Sequence, residues 1–125
     1  MATARKKFDF DVVIVGGGMV GTCLAALLAR EEALAGWQVA VVDPSPPRKP
    51  NEAELDLRVS ALSRASERIL AAARAWEAIA PYASPYGEMV VWDAASTVDR
   101  PDALRFSAAE TAEPNLGHIV ENLRV

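Results

Sequence analysis

A chain of 125 residues that is 51% hydrophobic and 24% charged has room for one domain with a modest core and the make-up of a soluble globular protein. Its net charge of −4 comes without a basic block, which argues against nucleic acid as a partner. A single cysteine, Cys23, excludes an internal disulfide and fits a reducing compartment. A single histidine, His118, leaves no obvious metal cluster or Ser-His-Asp relay.

Residues 1–8 are a polar lead-in with a basic cluster, Arg5-Lys6-Lys7, expected to fray. The organising stretch runs from Phe10 to Asp43. Asp11-Val-Val-Ile-Val15 is a β-branched run suited to a strand buried on both faces. Gly16-Gly17-Gly18-Met19-Val20-Gly21 fits G-x-G-x-x-G. An apolar helical stretch runs from Met19 to about Arg30, and a second strand, Gln38 to Val42, ends in Asp43. Strand, glycine turn, helix, strand and acid is the order of a dinucleotide-binding βαβ unit.

Each residue type has a physical role in that unit. Gly16 permits the sharp turn off the strand. Gly18 lets the main chain approach a pyrophosphate without a Cβ in the way, and Gly21 lets the helix pack close to the sheet. The pyrophosphate would rest on free N–H groups at the positive end of the helix. Asp43 lies 22 residues past Gly21, near the expected offset of ~20, where a carboxylate accepts hydrogen bonds from ribose hydroxyls and repels a 2′-phosphate. A different reading starts from the uncharged run Val12 to Ala29 behind the basic cluster, which could be a signal anchor or short membrane span. Four glycines, Asp9, Asp11 and marginal length argue against it.

After Asp43 comes a proline-rich segment, residues 44–55, which can be neither helix nor central strand and is expected to be a surface loop. Structure resumes near Asp56. Ser63 is an N-cap for a helix carrying Ile69, Leu70, Ala73 and Trp76, with Pro81 closing the region. Glu88 to Asp93 and Ala103 to Ser107 read as an antiparallel pair, and Glu113-Pro-Asn115 as a turn. Leu116 to Val120 is a last strand, with Asn122 capping the first turn of a helix in Leu123-Arg124-Val125. Trp76 and Trp92 are expected in the core, Trp37 at the sheet edge and His118 as a packed or surface residue. A chain stopping one turn into an element is expected to be a fragment.

Several segments together resemble one family. They are Val12–Gly21, Asp56-Leu-Arg58-Val-Ser-Ala-Leu-Ser63 with Ser66 and Ile69-Leu70, Met89-Val-Val-Trp-Asp93, and Leu116-Gly-His-Ile-Val-Glu121-Asn122. They look like the N-terminal third of the flavin-dependent aromatic hydroxylases of ubiquinone biosynthesis, in the p-hydroxybenzoate hydroxylase superfamily. The resemblance implies an α/β fold, a Rossmann-like FAD-binding βαβ unit with an appended hairpin region, incomplete relative to the family. Residues 1–125 would be the N-terminal portion of that domain.

It also implies FAD, held at the pyrophosphate by Gly16, Gly18 and Gly21 and at the adenosine ribose by Asp43. Arg58 would lie along the cofactor, an ion pair with Asp56 or Glu54 being the plainer alternative. Glu121 and Asn122 would pass near the flavin's ribityl side, helix capping being theirs. No catalytic or metal residue is assigned. NAD(P)H would be the electron donor, and O2 and a small aromatic molecule the substrates. The resemblance leaves open a cytoplasmic location, peripheral to the inner membrane, and a biosynthetic complex. Apolar faces built to pack elsewhere predict self-association. The competing reading is a non-catalytic adenine-dinucleotide-binding module or partner subunit. Where the family has a glycine just before the tryptophan that follows the second helix, this sequence reads Arg74-Ala75-Trp76. A left-handed C-cap at Arg74 costs about 1 kcal/mol.

Overall fold

The computed structural model describes residues 8–50 and 55–125. The basic lead-in and residues 51–54 of the proline-rich segment lie outside them. The fold is α/β, and the chain divides between Lys49 and Pro50 into two compact units.

In the first unit, β1 (Val12–Val15) and β2 (Val39–Val42) pair in parallel, Val12 opposite Val39 and Val15 opposite Val42, with α1 (Met19–Leu28) as the crossover. Parallel strands cannot be joined by a tight turn, so the helix is what makes the pairing feasible. At the strand entrance the Asp11 and Gln38 backbones are bonded, Asp11 N–H to Gln38 O at 2.9 Å, while Gln38 N–H donates to the Asp11 carboxylate at 2.8 Å. The strands are not buried on both faces as their composition predicts. Ile14, on the α1 side, is 8% exposed, whereas Val15 on the opposite face is 86% exposed. Two strands and one helix cover only one face, and the pleat puts alternate valines on the other.

In the second unit, β7 (Gly117–Glu121) is the middle strand of an antiparallel sheet in the order β3-β7-β4. Its partners are β3 (Val59–Ser63) and β4 (Ser84–Tyr86). Both were missed by sequence. The run in β3 is short and half polar, and β4 contains Pro85, tolerated because β4 is an edge strand. Ser63 caps α2 (Arg64–Ala72) as expected, its Oγ accepting from Ser66 N–H at 3.2 Å. β5 (Glu88–Val91) and β6 (Leu104–Ser107) form the expected antiparallel hairpin. The core gathers Leu62, Leu70, Ala73, Ile79 and Ala108 with Val120, which is 1% exposed.

The helix predicted to run through Trp76 stops earlier. Arg74 has φ 59°, Ala75 N–H reaches back to Leu70 O and Arg74 N–H to Ala71 O, both at 2.9 Å. That is a Schellman ending with arginine in the left-handed position usually given to glycine. Trp76 then opens a separate short helix, α3 (Trp76–Ile79), followed by a 3₁₀ turn that includes Pro81. Trp76 is half-buried, its ring edge-on to His118 at 5.1 Å, and His118 is packed. Trp92, expected in the core, is 48% exposed just past the end of β5.

Replacing Arg74 by glycine is expected to stabilise the fold by about 1 kcal/mol, because only the left-handed penalty is relieved. Chemical denaturation of the two proteins should show a higher midpoint at unchanged slope; an equal or lower midpoint would contradict the strain assigned to this position.

Candidate functional site

The first cluster forms where β1 leaves the sheet. Gly16 has φ +106°, a conformation costly to any residue with a Cβ, and its N–H still completes the ladder to Val42 O at 2.8 Å. The next amide, Gly17 N–H, donates to Asp43 Oδ2 at 2.7 Å. Asp43 Oδ1 accepts from Ser45 N–H at 2.8 Å. The glycine turn and the acid at the end of β2 are therefore in contact. Backbone donation from Gly17, then from Ser45, holds the Asp43 carboxyl below the usual carboxylate range.

Gly21 sits where α1 crosses the turn. A Cβ there would fall 1.9 Å from Gly16 O, so no other residue allows this approach. Gly18 is different. It is the N-cap of α1, with φ −74° and no side-chain cap, and a Cβ added to it meets nothing within 4 Å. The amides of the first helical turn have no intrahelical acceptor, and here no side chain caps them. Among the sequence-predicted residues, Gly16, Gly18, Gly21 and Asp43 are thus brought into one small region.

Arg58 and Asn122 lie in the second unit, and they too are brought together. Asn122 N–H donates to Arg58 O at 2.8 Å, and Asn122 Oδ1 accepts from Ser60 Oγ at 2.6 Å. Asn122 is not the cap that sequence predicts. Glu121 holds the N-cap position and Asn122 begins a 3₁₀ turn, Asn122–Arg124. Arg58 makes no ion pair with Asp56; the Asp56 carboxylate instead accepts the Arg58 N–H at 3.0 Å, closing an Asx turn. Glu54, the other partner considered, lies outside the described residues. An open cleft of about 440 Å³ is lined by Pro50, Leu55, Asp56, Leu57, Arg58, Glu121 and Leu123.

Glu121 is the residue that sequence reasoning undervalued. It is buried, its Oε1 accepting Asp56 N–H at 2.8 Å and its Oε2 Arg124 Nε–H at 2.7 Å. The Arg124 bond first, then the Asp56 amide, keeps its carboxyl below the ordinary value. The i,i+3 spacing of Glu121 and Arg124 was visible; the partnership with Asp56, 65 positions away, had no local signal.

Both halves of the resemblance's most specific blocks, Asp56-Leu-Arg58 and Glu121-Asn122, are thus bonded to each other. Comparison with known proteins points to the family that these blocks resemble. The chain is 34% identical over 90% of its length to the mitochondrial ubiquinone biosynthesis monooxygenase COQ6 of Danio rerio. It is 35% identical to the 3-demethoxyubiquinol 3-hydroxylase of Escherichia coli and 36% to the ubiquinone hydroxylase UbiL of Rhodospirillum rubrum, again over 90%. Over nine-tenths of its length the chain is thus similar in sequence to ubiquinone-biosynthesis hydroxylases, consistent with an N-terminal part of that family. It spans about a quarter of the length of these relatives, 23%, 27% and 24% respectively. No family model matches it. Among the described residues, no helix is long and apolar enough to cross a membrane; the uncharged stretch that suggested one supplies the ten-residue α1. No group of three or more metal-ligating side chains occurs among them either.

Acid is expected to loosen both clusters. A carboxyl whose folded value is depressed contributes stability that is complete above its unfolded value, near ~4, and is lost as pH falls through the lower folded value. Denaturation midpoints should therefore hold level from pH 7 down to about 5 and fall below about 4. Asp43→Asn and Glu121→Gln should each flatten part of that fall, and an undiminished acid limb in both would refute the assignment.

Proposed function

We propose that this chain is the FAD-binding portion of a flavin-dependent monooxygenase that hydroxylates an aromatic ubiquinone precursor with NAD(P)H and O2. The observation that carries the reading is the bond from Gly17 N–H to the Asp43 carboxylate, which puts the glycine turn beside the acid at the end of β2; side by side, the two suit a diphosphate and the ribose next to it. The residues fit the adenosine-diphosphate end of FAD. Open space fronts Gly18, uncapped amides begin α1, and each Asp43 oxygen, already accepting one hydrogen bond, keeps a lone pair for a ribose hydroxyl.

On this reading Gly16 shapes the turn, Gly18 gives the diphosphate its approach, Gly21 seats the helix and Asp43 takes the ribose. Arg58 and Asn122 belong to the same cofactor by the family resemblance. Arg58 is supported by its exposed guanidinium, which has no ion pair among the described residues. When bound, FAD supplies the redox and oxygen chemistry, and the residues named here bind and orient it. Binding rather than turnover is the activity assigned to these 125 residues. A place at the periphery of the inner membrane or in a biosynthetic complex goes with the same proposal.

Titration calorimetry is the test. The chain is expected to bind FAD, NAD to bind less tightly, and a 2′-phosphorylated dinucleotide to be disfavoured by Asp43. Binding of ADP or NAD without preference for FAD would favour the non-catalytic nucleotide module. Gly18→Ala, whose methyl meets only open space, should leave the denaturation midpoint unchanged while weakening FAD at least about tenfold, which is ~1.4 kcal/mol. Gly21→Ala should lower both stability and binding, since its methyl would strike the Gly16 carbonyl.

Self-association belongs to the proposal as well. Its support is the exposed apolar side chains on the face of the first unit's strands away from α1, Val13, Val15 and Val42. Sedimentation should find species larger than the monomer, increasing with concentration; a monodisperse monomer would count against it.

A further inference from the structure

Glu121 is the one buried charged residue among the described residues, and its two oxygens are bonded to the Arg124 side chain and to the main chain of the 56–58 loop. Burying a carboxylate is costly unless both oxygens are satisfied. One oxygen is satisfied by Arg124, whose guanidinium carbon lies 3.6 Å from the centre of the Tyr82 ring. The other holds the main chain of Asp56. Two positions on, Arg58 O is held by Asn122 N–H, and Ser60 Oγ holds the Asn122 side chain in turn. Residues 56–60 are therefore fastened at three points to residues 121 and 122, twice through the backbone and once through the Ser60 hydroxyl. The Arg58 side chain is left exposed at the cleft.

We infer that Glu121 is a positioning residue for Arg58: it fixes the 56–58 loop so that the guanidinium is presented to a bound phosphate-bearing cofactor in one orientation. This rests on the proposal that Arg58 contacts FAD. Glu121 does not serve that anion directly, because a carboxylate repels it. Arg124 neutralises the charge and lets the acid act through the loop. Prior fixing of the loop saves the ordering entropy that a free arginine would lose on binding. Asn122, assigned by sequence to the cofactor, has the same indirect part, since its N–H is held by Arg58 O in the loop and its side-chain oxygen by Ser60 at the start of β3.

The test uses the full chain and four proteins: wild type, Arg58→Ala, Glu121→Gln and the double variant. Each is titrated with FAD and with AMP. Arg58→Ala and Glu121→Gln should each weaken FAD by about tenfold, the loss of one charge-assisted contact. The double variant should be no weaker than the weaker single, because both remove the same contact. AMP affinity should not change. A Glu121→Gln protein that binds FAD normally while Arg58→Ala does not would overturn the inference. So would a hundredfold, additive loss in the double variant, or a parallel loss of AMP. Should Glu121→Gln fail to fold, Ser60→Ala takes its place, with a few-fold loss expected that Arg58→Ala abolishes and an additive loss overturning the inference. If wild type itself binds no FAD, the flavin reading fails, and amide exchange then decides the positioning role. Faster exchange at Asp56 and Asn122 in Glu121→Gln, with β1 unchanged, supports it; unchanged exchange at both overturns it.

Discussion

Everything in the first unit depends on how closely a helix can approach the turn that precedes it. The Gly16 carbonyl occupies the space where a Cβ of residue 21 would stand, so α1 starts against the turn only because Gly21 has none. That approach brings the start of the helix beside the C-terminal ends of β1 and β2. Asp43, leaving β2, can then reach the Gly17 amide. Without the close approach the helix would begin elsewhere, its free amides would point elsewhere, and the acid would have no turn to hold. A steric allowance of one methyl group thus determines an electrostatic arrangement.

The second unit achieves a similar result with a different constraint. Its sheet is built round β7, and the end of β7 delivers Glu121 into a buried position where an unpaired carboxylate could not remain. The partners that rescue it come from opposite directions in sequence. Arg124 is one turn ahead, and Asp56 lies far behind, on the approach to β3. Antiparallel pairing of β3 with β7, Val59 opposite Glu121, is what lets Asp56 arrive there. Folding of the sheet and fixing of the Arg58 loop are consequently one event.

How much of this was legible in the sequence follows from where each element draws its stability. The βαβ unit was readable because its signals are local: β-branched runs, glycines at fixed spacing and an acid at the strand end. Ser63 as a cap and the 88–107 hairpin were readable for the same reason. Strand β3 was not, because Val-Ser-Ala-Leu-Ser gains its extended form from pairing with residues more than fifty positions away. β4 was hidden by Pro85, whose tolerance depends on being at an edge that only the fold defines. Arg74 shows the intermediate case. The departure from glycine and the cost of a left-handed cap there were visible, but not that the chain would accept that cost of about 1 kcal/mol, with Leu70, Ala73 and Ile79 packed on either side of the turn. Asn122 was misplaced by one residue because a short 3₁₀ turn at a strand end carries little capping preference of its own.

One device recurs in both units and bears on what they can recognise. Asp43 and Glu121 each spend part of a carboxylate on main-chain amides, Gly17 and Ser45 in one case and Asp56 in the other. A side chain held in this way cannot change rotamer to suit different ligands without releasing a backbone donor. These bonds tie down the backbone beside the uncapped amides of α1 in one unit and beside Arg58 in the other. Rigid presentation of that kind suits a tightly held organic anion of fixed shape, and it suits poorly a surface that must adapt to many partners. The same rigidity has a chemical weak point. Protonating either carboxylate removes the acceptor that the backbone relies on, so the two clusters share a sensitivity to acid although they have no residue in common.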